Sequence, residues 1–403
     1  MPTAREPSPN AAPPRRSALA GVSVALWLAL TSTGCAVHRG TWLVGAGRGE
    51  PATAAAAAAP STPAAPRLIV IGDLGGADGR RGEAIGEAIG ARLDAAAAAG
   101  APVIVVGVGD DLRRCAPHEL AAALASRRVA GFIAAGEGER ACGGPAKGAP
   151  WSAPATNYVV RVDQDGAARV VSRCEGEAPR CAIEDDPGAL VDLVFIDTIA
   201  WQVGPVDDPA SARSLAEAAA LLDALAAKPG PERLLVTHHP IESAGPHGMG
   251  GRWPDSALHF HAPPLQRAIV EGRFAGAISG HEHTLQAAAD ITAAVKRSSR
   301  TWLRAPFFQV VAGATSDGDT AGRRAWPAFR GRSLFPDQVS AHAGFAEIEL
   351  HPDRHEVTLH ARRHGRWQTA ALTVPRGRPP HPRESASPVM DPCAGCDPTA
   401  PRW

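Results

Sequence analysis

Five short polar clusters carry the residue types that could do chemistry: Gly72-Asp73-Leu74-Gly75, Gly109-Asp110-Asp111, Gly136-Glu137-Gly138-Glu139, Thr237-His238-His239-Pro240 and Gly280-His281-Glu282-His283. Together they offer Asp73, Asp110, Glu137, His238, His281 and His283, a set of carboxylates and imidazoles. Such donors suit divalent or trivalent cations, and one carboxylate, such as Asp110, can bridge two of them. A pair of cations clamps a phosphate and activates water for in-line attack near neutral pH. Each cluster alone is weak evidence. An aspartate after a strand is more often a helix cap or turn former, and a histidine pair is commonly structural. Order and placement carry the weight, because every cluster directly follows a short apolar run.

Those runs are the elements that must position the chemistry. Strands are expected at Arg67–Gly72, Pro102–Gly107, Ala130–Ala135, Val191–Asp197, Arg233–Thr237 and Ala275–Ser279. Helices are expected at Arg81–Ala99, His118–Ser126, Ala212–Ala227 and Pro264–Glu271. After Pro306, the runs FFQVVAG, GFAEIEL and EVTLHARR read as closing antiparallel strands. The alternation is that of an α/β domain, whose sites form at the carboxyl ends of strands. No repeat is apparent, and no GxGxxG opens a helix, so nucleotide binding through a glycine-rich loop is disfavoured.

The five clusters resemble the metal-binding blocks of the calcineurin-like metallophosphoesterases, and of the purple acid phosphatases within them, written GDxG, GDxxY, GNH(D/E), VxxH and GHxH. Further matches lie between the blocks. The stretch HHPIESAGPHG has a second histidine, His247, nine residues after His238; GHEHTLQ, VFIDT at 194–198, Trp151 and Tyr158 also have counterparts. The resemblance covers about residues 67 to 350. It implies a four-layer α/β/β/α sandwich of two mixed sheets flanked by helices. It also implies one or two metal ions (Fe, Mn or Zn) and a phosphate-ester substrate. Carried over by position, Asp73 and His283 serve the first metal, Asp110 bridges, and His238 and His281 hold the second. His247 contacts phosphate or assists the leaving group. His239 reads as solvent-facing or as lying behind the ligands.

Three departures qualify that carry-over. The tyrosine three residues after the bridging aspartate is Arg113 here, so neither a phenolate ligand nor a purple colour is expected. Arg113 either pairs with Asp111 or a nearby loop, or replaces the charge of the first metal and grips phosphate. The block-three asparagine is Glu137, which still offers an oxygen ligand. The following histidine is Gly138, and loss of such a general acid costs on the order of 10²–10⁴-fold. Two readings follow: a metal-dependent phosphoesterase using metal-activated water, or a degenerate member that binds a phosphorylated ligand or an envelope protein without turnover.

The chain has 403 residues with Lys+Arg and Asp+Glu both at 41, so no net field draws it to nucleic acid. Arg15 and Arg16 precede the apolar run Ala18–Leu30, too short to span a bilayer comfortably, which ends in Ser32-Thr33-Gly34-Cys35. This is the layout of a secretory signal, and Cys35 resembles a lipobox cysteine. The expected organisation is a lipoprotein signal over 1–35, an Ala/Pro-rich tether over 36–66, the metallophosphoesterase domain over 67–375 and an irregular tail over 376–403. Localisation is then the cell envelope, with membrane contact through a lipid on Cys35. Export makes disulfides the expected state: Cys174 with Cys181 across a short loop and Cys115 with Cys142, while Cys393 and Cys396 in the CAGC tail form either a tight bridge or two free thiols.

Overall fold

The computed structural model describes residues 64–74, 79–113, 116–117, 124–127, 129–142, 151–186, 188–203, 208–243, 263–292, 306–315, 338–340 and 342–376. The signal segment with Cys35, nearly all of the tether, the tail with Cys393 and Cys396, Cys115 and His247 lie outside them. So does the side chain of Arg113, and so does the expected helix His118–Ser126 apart from its last three residues, which are helical.

One six-stranded sheet runs in the order β18-β17-β16-β1-β2-β5. Its members are β1 (Arg67–Ile71), β2 (Val103–Gly107), β5 (Ala130–Ile133), β16 (Gly344–Leu350), β17 (Arg354–Arg363) and β18 (Arg366–Pro375). β1, β2 and β5 are parallel; β16, β17 and β18 add on antiparallel. The second sheet has eight strands in the order β15-β13-β14-β12-β11-β10-β6-β7. These are β6 (Tyr158–Asp163), β7 (Ala168–Val170), β10 (Ala189–Phe195), β11 (Glu232–Val236), β12 (Gly276–Ser279), β13 (Leu285–Ala288), β14 (Phe308–Ala312) and β15 (Gln338–Ser340). β10, β11, β12 and β14 are mutually parallel in that order. Two small pairs, β3 (Leu112–Arg113) with β4 (Ala116–Pro117) and β8 (Ser172–Glu175) with β9 (Arg180–Ile183), stand apart.

Strand alternation builds the layers. In β1, Leu68 and Val70 join the core between the two sheets, while Ile69 and Ile71 face outward. The helix Gly79–Ala98 covers that outer face with Ile85, Ile89 and Leu93, a one-sided stripe at helical spacing. In β11, Leu234 and Val236 point between the sheets and Leu235 points away. There the helix Pro209–Ala227 seats Ala218, Leu221, Leu222 and Leu225, and the helix Pro263–Val270 adds Leu265, Ala268 and Ile269. Three buried clusters therefore separate four layers, helix, sheet, sheet, helix, as expected of two mixed sheets flanked by helices.

One expectation needs correcting. The run FFQVVAG is not a purely antiparallel closing strand: β14 lies between β12, to which it is parallel, and β13, to which it is antiparallel. Strand pairing is set by the tertiary neighbours, which an apolar run does not encode. GFAEIEL and EVTLHARR do pair antiparallel, as β16 and β17. Cys174 and Cys181 form the expected disulfide across the β8–β9 hairpin. Cys142 is also disulfide-bonded, to a cysteine outside the described residues.

Candidate metal centre

All five clusters sit just past the carboxyl ends of parallel strands: Asp73 after β1, Asp110 after β2, Glu137 after β5, His238 and His239 after β11, His281 and His283 after β12. Backbone bonds keep the loops stitched together beyond the sheets, with Asp73 N donating to Gly109 O and Gly280 N to His238 O, each at 2.9 Å. The approach of the loops leaves no room for a larger residue at two glycines. A Cβ on Gly109, whose φ is +93°, would lie 2.7 Å from His238 Nδ1; one on Gly136 would lie 2.4 Å from Asp110 N.

Backbone strain concentrates here. Asp73, Asp110, His281 and His283 have φ of 57°, 57°, 68° and 41°. Among the described residues the one other non-glycine at positive φ is His364, in the β17–β18 turn. Left-handed backbone costs on the order of 1–2 kcal/mol per residue and gathers at functional sites because the surroundings must enforce it.

Two overlapping groups of donors result. Ligand atoms of Glu137, His238, His239 and His281 all lie within 4.8 Å of one another, as do those of Asp73, Asp110 and His238. His238 Nε2 is 2.6 Å from Glu137 Oε2, 3.7 Å from Asp110 Oδ2 and 3.3 Å from His281 Nδ1. His283 Nε2 is 3.3 Å from Asp73 Oδ1, and Asp73 Oδ2 accepts from His281 N at 2.9 Å. Asp110 Oδ1 accepts from Gly138 N at 2.6 Å, which turns its other oxygen toward His238.

The chemistry of these donors fits a metal. His238 Nδ1 is 2.8 Å from the carbonyl oxygen of Val108, which can only accept, so Nδ1 carries the hydrogen. In the neutral ring, Nε2 then presents a lone pair to the Glu137 carboxylate, and that contact requires a cation between them, a proton or a metal ion. Without a metal the proton serves. Burial alone would lower His238, but the Glu137 charge overrides it and holds the imidazole well above its usual range. Burial likewise would raise Glu137, yet His238 and His239 keep its carboxyl well below the usual carboxylate range. Burial also pushes the Asp110 carboxyl up to about 6, with His238 partly opposing.

Several residues that sequence reasoning passed over hold this arrangement. Glu139 is fully buried and its carboxylate accepts from the backbone N–H groups of Asp110, Asp111 and Gly136 at 2.8–2.9 Å. It ties two of the ligand loops to one side chain. The available signal was its place three residues into a helix opened by Gly136, a capping-box position. Arg140 on the same short helix bonds Asp208 and Ser211 at the start of the helix Pro209–Ala227. Asp111 is buried, and neither of its carboxylate oxygens has a hydrogen-bond partner among the described residues; burial raises it well above the usual range.

Of the two alternatives for His239, the solvent-facing one fails: the residue is 1% exposed, its Nε2 is 3.1 Å from Glu137 Oε1, and its Nδ1 bonds Thr198 Oγ1 at 2.8 Å. Thr198 ends the VFIDT run, which begins as the last two residues of β10 and continues past its carboxyl end, and this explains why that run sits beside the site.

No family model and no curated protein matches the sequence. Among solved structures the chain is similar to GAP50, described as the anchor in the inner membrane complex of Plasmodium, at 13% identity over 77% of this chain and 89% of that one, with a TM-score of 0.48. It is similar to PhoD at 12% identity, over 78% and 70% of the two chains, with a TM-score of 0.44. A predicted phosphoesterase from Streptococcus pneumoniae TIGR4 shares 12% identity over 78% and 99%, with a TM-score of 0.32.

Proposed function

We propose that this chain is a metal-dependent phosphoesterase of the calcineurin-like class, exported to the cell envelope. The observation that carries the reading is the convergence of carboxylate and imidazole donors from five strand-end loops, spanning both sheets, on two overlapping groups. In this reading Asp73 and His283 hold one ion, Glu137, His238 and His281 hold another, and Asp110 lies between them. Metal ions held there would supply a Lewis acid for phosphate oxygens and a water that deprotonates near neutral pH. The chain's own groups set the geometry. Val108 O fixes the His238 tautomer, Gly138 N–H fixes the Asp110 carboxylate, and Glu139 holds three of the intervening backbone amides. Position 138 offers no side chain to protonate a leaving group, so that role falls to His247, with Arg113 as the phosphate-facing cation. The disulfides at Cys174–Cys181 and Cys142 support an oxidising compartment, and lipidation at Cys35 would supply the membrane anchor.

The test is hydrolysis of p-nitrophenyl phosphate and bis(p-nitrophenyl) phosphate with and without added Zn²⁺, Mn²⁺ or Fe²⁺. Metal-dependent turnover that falls at least 100-fold in Asp110→Ala and His281→Ala, on the scale of a lost catalytic group, is expected. A chain that binds the ions and hydrolyses neither ester would instead be a phosphate-ligand binder.

A further inference from the structure

We infer that His239, not only its neighbour His238, is a protein ligand of the ion held by Glu137 and His281, so that this ion sits in a closed set of three imidazoles and one carboxylate, with Thr198 as the residue that positions His239. The inference rests on the metal-dependent reading above and deepens it.

The distances support a tetrahedral hole. For zinc–nitrogen bonds of about 2.0–2.1 Å, the edge of a regular tetrahedron is about 3.3–3.4 Å. The His238–His281 nitrogens are 3.3 Å apart, His239 Nε2 is 3.1 Å from Glu137 Oε1, and His281 Nδ1 is 3.7 Å from Glu137 Oε1. The shorter contact, from His238 Nε2 to the other carboxylate oxygen, Glu137 Oε2, at 2.6 Å, is not an edge of that set and is one that an intervening ion would open. The three rings stand edge-on or tilted, with centroids 4.4–5.1 Å apart, so each directs a nitrogen inward without stacking on its neighbour.

Each histidine with a described bond on its far nitrogen is oriented the way a ligand is. Val108 O takes the Nδ1 hydrogen of His238, and Thr198 Oγ1 bonds Nδ1 of His239 while also accepting the His239 backbone N–H at 3.3 Å. A hydrogen bond on the non-ligating nitrogen fixes tautomer and ring direction, and is the usual companion of a metal-bound histidine. The burial of His239 and His238, at 1% and 0% exposure, fits a ligand and argues against a proton donor that must reach substrate. Four protein ligands leave this ion little room, in the manner of a holding site, whereas Asp73, Asp110 and His283, assigned above to the other ion, are fewer and leave it open. Substrate phosphate and the attacking water then belong chiefly on the open side, where His283 is 48% exposed.

Cobalt(II) titration of the folded, disulfide-intact chain reads this out without any activity. The wild type should bind one Co²⁺ tightly with the intense visible absorption of tetrahedral cobalt, and a second with the weak absorption of a higher coordination number. His239→Ala should lose the intense band and weaken the tight ion more than 100-fold, leaving the second ion in place. Thr198→Val, which keeps the ligand and removes its support, should weaken the tight ion about 10- to 100-fold with the band retained. Unchanged far-UV circular dichroism establishes that each variant is folded, and His239→Asn serves if His239→Ala is not. Tight binding and an intense band that survive in folded His239→Ala or His239→Asn would overturn the role of His239 and leave the metal reading intact. No cobalt bound by the wild type would overturn the metal reading itself.

Discussion

Replacing Glu139 should cost more than replacing most of the ligands themselves. Its carboxylate is the acceptor for three backbone N–H groups, those of Asp110, Asp111 and Gly136, and the side chain is wholly buried. In Glu139→Ala all three donors lose their partner in a place where water does not readily replace it. A buried donor left unsatisfied costs about 1–3 kcal/mol. Because the three share one site and relax together, about 3–5 kcal/mol is expected in place of the simple total. Glu139→Gln keeps one acceptor oxygen; placed at the Oε2 position it retains the bonds to Asp110 and Gly136 and turns an amide N–H toward the Asp111 donor, so roughly half the loss is expected. Differential scanning calorimetry is the assay. At about 1.5 °C per kcal/mol for a domain of roughly 300 residues, Glu139→Ala should melt at least about 4 °C lower, and Glu139→Gln should fall between it and the wild type. The same substitution loosens the loops bearing Asp110 and Glu137, so metal affinity should fall with stability. A Glu139→Ala protein melting within a degree or two of wild type, with metal retained, would refute the view that this carboxylate organises the two loops.

Glu347 gives a prediction away from the metal centre. Burial alone would raise its carboxyl, but the His360 hydrogen bond and the Arg92 and Arg67 charges hold it at about 2. Its folded pKa lies below the unfolded value of about 4.3, so its contribution is complete above that value and is lost as the pH falls through 2. Stability of the wild type should therefore fall between about pH 5 and pH 2 more steeply than that of Glu347→Gln; equal slopes in denaturant titrations would contradict the ion-pair assignment. The Cys174–Cys181 bridge closes a short loop, with a sequence separation of 7. Its removal as the double serine variant should cost about 2 kcal/mol by loop entropy and leave cobalt binding unchanged, whereas an unaltered denaturation midpoint would mean the hairpin is held by its packing on the helix Pro209–Ala227 alone.

The parallel strands were legible because each is an apolar run ending in glycine and a polar residue. Arg67–Ile71, Val103–Gly107 and Glu232–Val236 fall within one or two residues of the expected bounds. The helices Gly79–Ala98 and Pro209–Ala227 were legible from their one-sided apolar stripes. β8 and β9 were not, because β8 alternates between half-buried and exposed and β9 buries only Ile183, so both carry little hydrophobic signal. The insertion of β14 between β12 and β13 was invisible for a different reason, since register and neighbours are properties of the assembled sheet. At the site, residue types and order were readable while depth was not. His238 and His239 are adjacent letters, and only the fold shows that Thr198, forty-one positions away in sequence, turns the second ring inward. Glu139 lay inside a cluster already noticed, but its partners are backbone amides, which leave no trace in the sequence.

The metal content of the purified chain separates a loaded centre from an empty one. Elemental analysis of the chain, exported in an oxidising compartment and purified without chelator, should find about two ions per chain, one for each group of donors. His281→Ala should lower that to about one, and chelation should lower the melting temperature, since ions bound only by the folded state stabilise it. A folded chain that holds no ion after supplementation with Zn²⁺, Mn²⁺ and Fe²⁺ would rule out a metal centre.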